Sequence, residues 1–218
     1  MPDRPLTLFG ERKLDSPFVF TAFVALAEKR VPFELRLLDL SAGEQRAAPF
    51  KARSLTARVP TLEAASFAVS ESLAIVEYLE ETLPPPAHPA LFPADAEGRA
   101  RVRQVLGWLR TDLPALRRAR PSDSIFFERV TTPLDDAAQK DAEKLVGVAS
   151  ELVGARGTIG ADWSIADADL AFALMRLHAN GDPLPAALVR YVEALWQRPS
   201  IAAWVTLERP APNAVLRR

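Results

Sequence analysis

The chain reads as a small α/β unit followed by an all-helical one, and three observations predict this. Strand-like and helix-like patterns alternate up to about Thr82, a proline-rich stretch then interrupts them, and helical spacing alone continues beyond it. Leu6-Thr7-Leu8-Phe9 is a short β-rich run. Pro17 to Arg30 reads as a helix that buries Ala22, Phe23, Ala25 and Leu26. Pro32 to Leu38 alternates at period two and reads as a second strand. A strand–helix–strand unit of this length implies two parallel strands joined by a right-handed crossover. The region from Gly43 to Ala57 is expected to hold one short helix plus loop. Pro60–Ala64 and Phe67–Ser70 pair as a hairpin across the weak turn Ala65-Ser66, and Ser72–Thr82 closes the unit as a helix.

Pro84-Pro85-Pro86-Ala87-His88-Pro89 is the clearest punctuation, and such a run is expected to be stiff and extended. The boundaries expected are therefore 1–84 for the first domain, 85–95 for the linker and 96–218 for the second. In the second, Val102, Val105, Leu106, Leu109, Leu113 and Leu116 follow helical spacing in one long segment ending near Pro121. Further helices are expected over Leu134–Val153, Ile165–Ala179, Ala186–Gln197 and Ile201–Leu207.

Composition narrows the chemistry. A net charge of −1 over 218 residues leaves no electrostatic footprint for nucleic acid or an anionic membrane surface. No apolar run is long enough to span a bilayer, and Met1-Pro2-Asp3-Arg4-Pro5 lacks the apolar core of a signal peptide, so a cytoplasmic location is expected. There are no cysteines, which excludes disulfides, thiolate metal sites and a cysteine nucleophile. Any thiol chemistry must then use the thiol of a bound ligand. His88 and His178 stand far apart without metal-ligand neighbours, so no metal is expected, and no histidine is spaced to suggest a Ser-His pair.

Two devices for holding a small peptide-like anion follow one another. Arg58-Val59-Pro60-Thr61-Leu62 enters a strand through a proline, whose preceding peptide bond is cis far more readily than others. A cis bond there turns Val59 outward, so that its N–H and C=O can pair with a ligand as with another strand. Ser70-Glu71-Ser72 then opens a helix, whose free N–H groups and positive dipole end favour a carboxylate. Taken singly, Pro60 is an ordinary edge-strand residue and Ser70 an ordinary cap.

Together these residues resemble the glutathione S-transferases, in which V-P-T-L, a short hairpin and a helix opening S-E-S form the glutathione site. Other segments extend the likeness over most of the chain. Ser164-Ile165-Ala166-Asp167 is a capping box like the family's buried one, which supports folding, and Arg198-Pro199-Ser200-Ile201-Ala202-Ala203-Trp204 is similar to its closing segment. The resemblance implies a thioredoxin-like domain followed by a helical bundle, glutathione as substrate, no metal, and a homodimer.

It also implies roles for residues. Ser16-Pro17-Phe18 matches the placement at which serine-type members donate a hydroxyl to the glutathione sulfur, although Ser16 before Pro17 also reads as a plain helix cap. Val59 and Pro60 would meet the cysteinyl backbone, Ser72 the γ-glutamyl carboxylate and Glu71 its ammonium. Arg58 is a candidate for the glycyl carboxylate and equally a solvated surface arginine. Where many relatives carry N-P-x-G-K, this chain has Ser54-Leu55-Thr56-Ala57-Arg58, and the loss of the glycine leaves the glycyl end without its usual support. The charged run Glu11-Arg12-Lys13 before Leu14-Asp15-Ser16 leaves the loop's path over the thiol open, with another donor there as the alternative to Ser16. The electrophile is expected between domains, with Phe18, Trp108 and Arg110 as candidate walls; a packed core position is the stronger reading for Trp108.

The implied activity is transfer of glutathione to electrophiles, with reduction of hydroperoxides by the same thiolate. The serine–serine–cysteine run of maleylacetoacetate isomerases is absent. The competing expectation is a non-catalytic scaffold of the same fold acting in protein interactions.

Overall fold

The computed structural model describes residues 6–154 and 156–210; residues 1–5, on which the absence of a leader was argued, lie outside that range. The chain divides into two compact units, one containing residues up to Leu91 with 206–210, the other Phe92–Val205.

The first unit is built on a four-stranded sheet. β1 (Leu6–Glu11) is followed by helix α1 (Pro17–Lys29) and β2 (Phe33–Leu38), which lies parallel to β1 with Leu6 opposite Phe33. A 3₁₀ turn (Glu44–Arg46) and the four-residue α2 (Ala48–Lys51) cross to β3 (Thr61–Ala64). β3 and β4 (Phe67–Ser70) form the expected hairpin, antiparallel, with Ala65 in the left-handed region at φ 55°. Sheet order is β2-β1-β3-β4, and β1 runs antiparallel to β3. This is the mixed sheet of a thioredoxin-like domain. α3 (Ser72–Thr82) packs on α1. Val19, Phe20, Val24, Leu26, Leu8, Leu62, Ile75 and Val76 are sealed between them and the sheet. Gly10 permits that approach, because a Cβ there would lie 2.8 Å from a Val19 methyl carbon.

Two buried charges fasten this unit. The Lys29 ammonium is fully buried and donates to Glu80 at 2.6 Å and to the carbonyls of Leu83 and Pro89 at 2.8 and 2.9 Å. Glu80 also accepts the N–H of Leu91 at 3.0 Å. The proline stretch is therefore not the extended rod expected of it. It turns, with the His88 N–H donating to the Pro84 carbonyl, and its Pro89 carbonyl is drawn onto Lys29. His88 serves this fastening too, its Nδ1 lying 2.9 Å from the Lys29 carbonyl.

The second unit is helical: α4 (Ala96–Thr111), α5 (Pro114–Ala119), α6 (Asp123–Phe126), α7 (Asp136–Val153), α8 (Ile165–Asn180), α9 (Ala186–Trp196) and α10 (Pro199–Val205). The long helix expected up to Pro121 is broken after Thr111. Asp112 is extended and Leu113 left-handed at φ 63°, because Pro114 opens a new helix and its ring disfavours a helical residue before it. α6 was not foreseen; a four-residue helix is too short for periodicity to register. α8 is buried on nearly every side, with α4, α6, α7 and α9 packed around it. Ser164 and Asp167 form the expected capping box at its start. The fully buried Asp167 carboxylate accepts the N–H groups of Ser164 and Ile159 at 2.8 Å each, and the Tyr191 hydroxyl at 3.1 Å. No helix among the described residues is long and apolar enough to cross a membrane.

Candidate functional site

Sheet register gathers the first unit's candidates at one end of the sheet. Phe9 lies opposite Thr61, and Thr61 opposite Ser70. The loop leaving β1 toward Ser16, the Val59-Pro60 entry into β3 and the Glu71-Ser72 exit from β4 therefore share that end.

Ser16 caps α1. Its backbone is extended (φ −68°, ψ 122°), and its Oγ accepts the Val19 N–H at 3.3 Å while Pro17 occupies the first helical turn. Capping uses a lone pair of the hydroxyl. Among the described residues the Ser16 O–H itself finds no acceptor, so it is open to donate elsewhere. Cap and donor are thus compatible roles rather than competing ones.

The path of the preceding loop, open in the sequence, is set by Glu11. Its Oε1 accepts the N–H of Asp15 at 2.8 Å and of Ser16 at 2.9 Å. Leu14 is buried and left-handed at φ 55°, with its N–H on the Glu11 carbonyl and its own carbonyl receiving Arg209 Nε at 3.2 Å. Glu11 is 6% exposed, and burial pushes its carboxyl up to about 7 despite the backbone N–H groups that lower it. Reading Glu11 as one of a charged loop run missed this. The available signal was parity, since Glu11 continues the Thr7–Phe9 face of a strand.

The Val59-Pro60 bond is cis, as expected of this motif. Among the described residues the N–H and C=O of half-buried Val59 have no hydrogen-bond partner. The turn before it is braced by buried Ser54, whose hydroxyl accepts the Arg58 N–H at 3.1 Å and donates to the Arg58 carbonyl at 3.0 Å. The Thr61 hydroxyl donates a second bond to that carbonyl at 2.9 Å. The missing glycine is answered here: Ala57 stands in its place at φ 52°, the left-handed conformation a glycine would take. The Arg58 side chain is exposed.

Glu71 holds φ 75° and ψ 119°, outside the regions a non-glycine residue ordinarily occupies. Such a conformation costs on the order of 1–3 kcal/mol and gathers at functional sites. Its carboxylate is exposed, with the Thr56 hydroxyl donating to it at 3.3 Å. Ser72 is buried in the first turn of α3, and no side chain caps that turn, in contrast to α1, α4 and α7. A first helical turn carries main-chain N–H groups and the positive end of the helix dipole.

Phe18, two residues on from Ser16 in the first turn of α1, is an exposed aromatic, 39% accessible. In the second unit, Trp108 is half-buried rather than a core residue, its indole N–H donating to Asp112 at 2.9 Å. Asp112 also takes the Lys144 ammonium, which with Leu113 N–H and Trp108 holds its carboxyl down at about 2. Arg110 pairs with Asp169 and donates to the Leu106 carbonyl at 2.9 Å. His178 lies 3.5 Å from Glu193 on the helix face where it was expected.

Two family profiles match the chain: "Glutathione S-transferase, N-terminal domain" over residues 15–82 and "Glutathione S-transferase, C-terminal domain" over 95–209. A Burkholderia glutathione transferase homolog, crystallised with bound glutathione, is 42% identical at a TM-score of 0.78, over 93% of this chain and 97% of that one. Maleylpyruvate isomerase of a Ralstonia species is 36% identical over 115 residues, 53% of this chain and 51% of the isomerase. Glutathione S-transferase theta-2 of Homo sapiens is 29% identical over 151 residues, 63% of this chain and 60% of the relative. The chain thus matches between half and three fifths of the length of these two curated relatives. Ure2p in complex with S-hexylglutathione, at 19% identity and a TM-score of 0.75, shares the fold. With the C-terminal profile alone spanning more than half of its residues, this chain belongs to the glutathione S-transferase family.

Proposed function

We propose that the protein is a serine-type glutathione transferase that binds glutathione at the end of the sheet near Ser16 and holds its thiol as the thiolate. Val59 would pair its main chain with the cysteinyl residue, Glu71 would hold the γ-glutamyl ammonium, and Ser72 with the uncapped first turn of α3 would receive the γ-glutamyl carboxylate. Arg58 is the proposed partner of the glycyl carboxylate. The observation that carries the reading is the Ser16 hydroxyl, which caps α1 through its oxygen while its O–H meets no acceptor among the described residues.

The effect asked of Ser16 is modest. A free cysteine thiol has a pKa of about 8.5, so roughly 3% is thiolate at pH 7. A hydroxyl donor beside a helix N-terminus favours the charged form. Lowering the pKa by about two units corresponds to roughly 2.7 kcal/mol and raises the thiolate to about three quarters. The hydroxyl remains a donor throughout; the thiolate is the nucleophile. With an electrophilic carbon, sulfur forms the new bond and the leaving group departs with its electron pair. With a hydroperoxide, the thiolate attacks the outer oxygen and the O–O bond breaks, leaving an alcohol and a glutathione sulfenic acid that a second glutathione reduces. Phe18, Trp108 and Arg110 are proposed to face the electrophile, and the working form is proposed to be a cytoplasmic homodimer.

Calorimetric titration with glutathione tests the binding half of this reading, followed by a turnover screen of aryl halides, hydroperoxides and maleylpyruvate, the compound named by one relative. Saturable binding with turnover of any of these is the expected result. Absence of binding at millimolar glutathione contradicts the reading and favours the scaffold.

A further inference from the structure

Glu11 does something the glutathione contacts do not require. It ends β1 on the face of Thr7 and Phe9, almost wholly buried, where a neutral side chain would avoid the cost of placing a carboxyl out of water. Its Oε2 is buried and has no hydrogen-bond partner among the described residues. All of its bonding is therefore through Oε1, to the N–H groups of Asp15 and Ser16. Those two bonds fix the peptide planes on either side of Asp15, and hence the direction in which Ser16 leaves the loop.

From the other side Ser16 is held by the Val19 N–H on its Oγ. A residue tied at both its main chain and its side-chain oxygen has little freedom left in the hydroxyl's position. We propose that Glu11 is a positioning residue for glutathione activation, clamping the 11–16 loop so that the Ser16 hydroxyl is aimed at the glutathione sulfur. This inference rests on the reading of Ser16 as the thiolate's donor. Asp15, itself 3.4 Å from Lys13, and Arg209 are the charged groups that face Glu11. Protonation of Glu11 leaves a carbonyl oxygen able to accept both N–H groups, so the clamp does not depend on the charge. Reach is what it depends on.

The test is the pKa of enzyme-bound glutathione, read by ultraviolet difference absorbance against pH on the full chain, with the dissociation constant measured in parallel. Glu11→Ala removes the acceptor, and Glu11→Asp keeps a carboxyl one methylene short of it. Both are expected to raise the bound-thiol pKa by about one unit, a tenfold loss of thiolate well below that pKa, with less than a threefold change in affinity. Glu11→Gln, which retains an acceptor at full reach, is expected to recover most of the loss, an outcome a merely structural role does not predict. In the double variant with Ser16→Ala, the Glu11 change is expected to add nothing, since both act on one donor. If Glu11→Ala fails to fold, the Glu11→Asp and Glu11→Gln pair gives the same comparison. The proposal is overturned if these variants keep the wild-type pKa, or if their effect adds in full to that of Ser16→Ala. A wild-type pKa in Ser16→Ala itself sinks the Ser16 reading, and the Glu11 inference with it; a shift in Ser16→Ala without one in the Glu11 variants sinks the inference alone.

Discussion

Single side chains in this fold carry two duties. Ser16 caps α1 and keeps its O–H available, while Glu11 sits in the core and organises a loop. The cost of burying Glu11 has a pH signature. Its carboxyl titrates at about 7 in the folded protein against 4.5 as the ordinary value, so the folded state binds the proton more tightly than the unfolded chain. Stability therefore falls as pH rises from about 4.5 to 7 and is flat in this respect above, the total amounting to roughly 3 kcal/mol. Glu11→Gln does not titrate. Thermal melts should show the variant close to wild type at pH 5 and more stable by about 2–3 kcal/mol at pH 8. An advantage independent of pH would contradict the burial of a titrating carboxyl.

Elements were legible where a period or a breaker speaks for itself. The strand–helix–strand unit, the hairpin and the start of α3 at Ser72 follow from alternation and helical spacing, and α1 ends one residue before the expected Arg30. The break at Leu113 was not read, because the apolar spacing of Leu109, Leu113 and Leu116 runs straight through it while Pro114 alone announces it. The glycine lost before Val59 leaves the hold on the glycyl carboxylate open in the sequence; the turn itself is kept, with Ala57 at φ 52° and the Ser54 brace. An alanine held there costs about 1 kcal/mol relative to glycine, partly offset by glycine's greater unfolded freedom. Ala57→Gly should thus stabilise the protein by up to about 1 kcal/mol in denaturant unfolding, and a loss of stability would mean that the turn is not left-handed. The capping box of α8 is the opposite case, legible in sequence and consequential in structure. Asp167→Ala removes the acceptor of two buried N–H groups and the Tyr191 hydroxyl, and should cost about 3 kcal/mol in the same assay.

For the molecule as a whole, the likeness to glutathione S-transferases rested on Val59-Pro60 and Glu71-Ser72, and the fold and family bear it out. What brings those segments to one end of the sheet is register, with Phe9, Thr61 and Ser70 in line across three strands. Pairing partners far apart in sequence leave no local pattern, so the expectation that these segments share one site comes from the family resemblance and not from periodicity. The φ of 75° at Glu71 is equally silent in a sequence, since no glycine marks it. The central claim is that this gathering ionises glutathione through Ser16. Its most direct measurement is the ultraviolet difference titration of bound glutathione for wild type, Ser16→Ala and Ser16→Thr. The account predicts a bound-thiol pKa near 6.5 in wild type, a rise of at least about one unit in Ser16→Ala, and recovery in Ser16→Thr, which keeps a hydroxyl and a cap. A bound thiol that titrates identically in wild type and Ser16→Ala would contradict it.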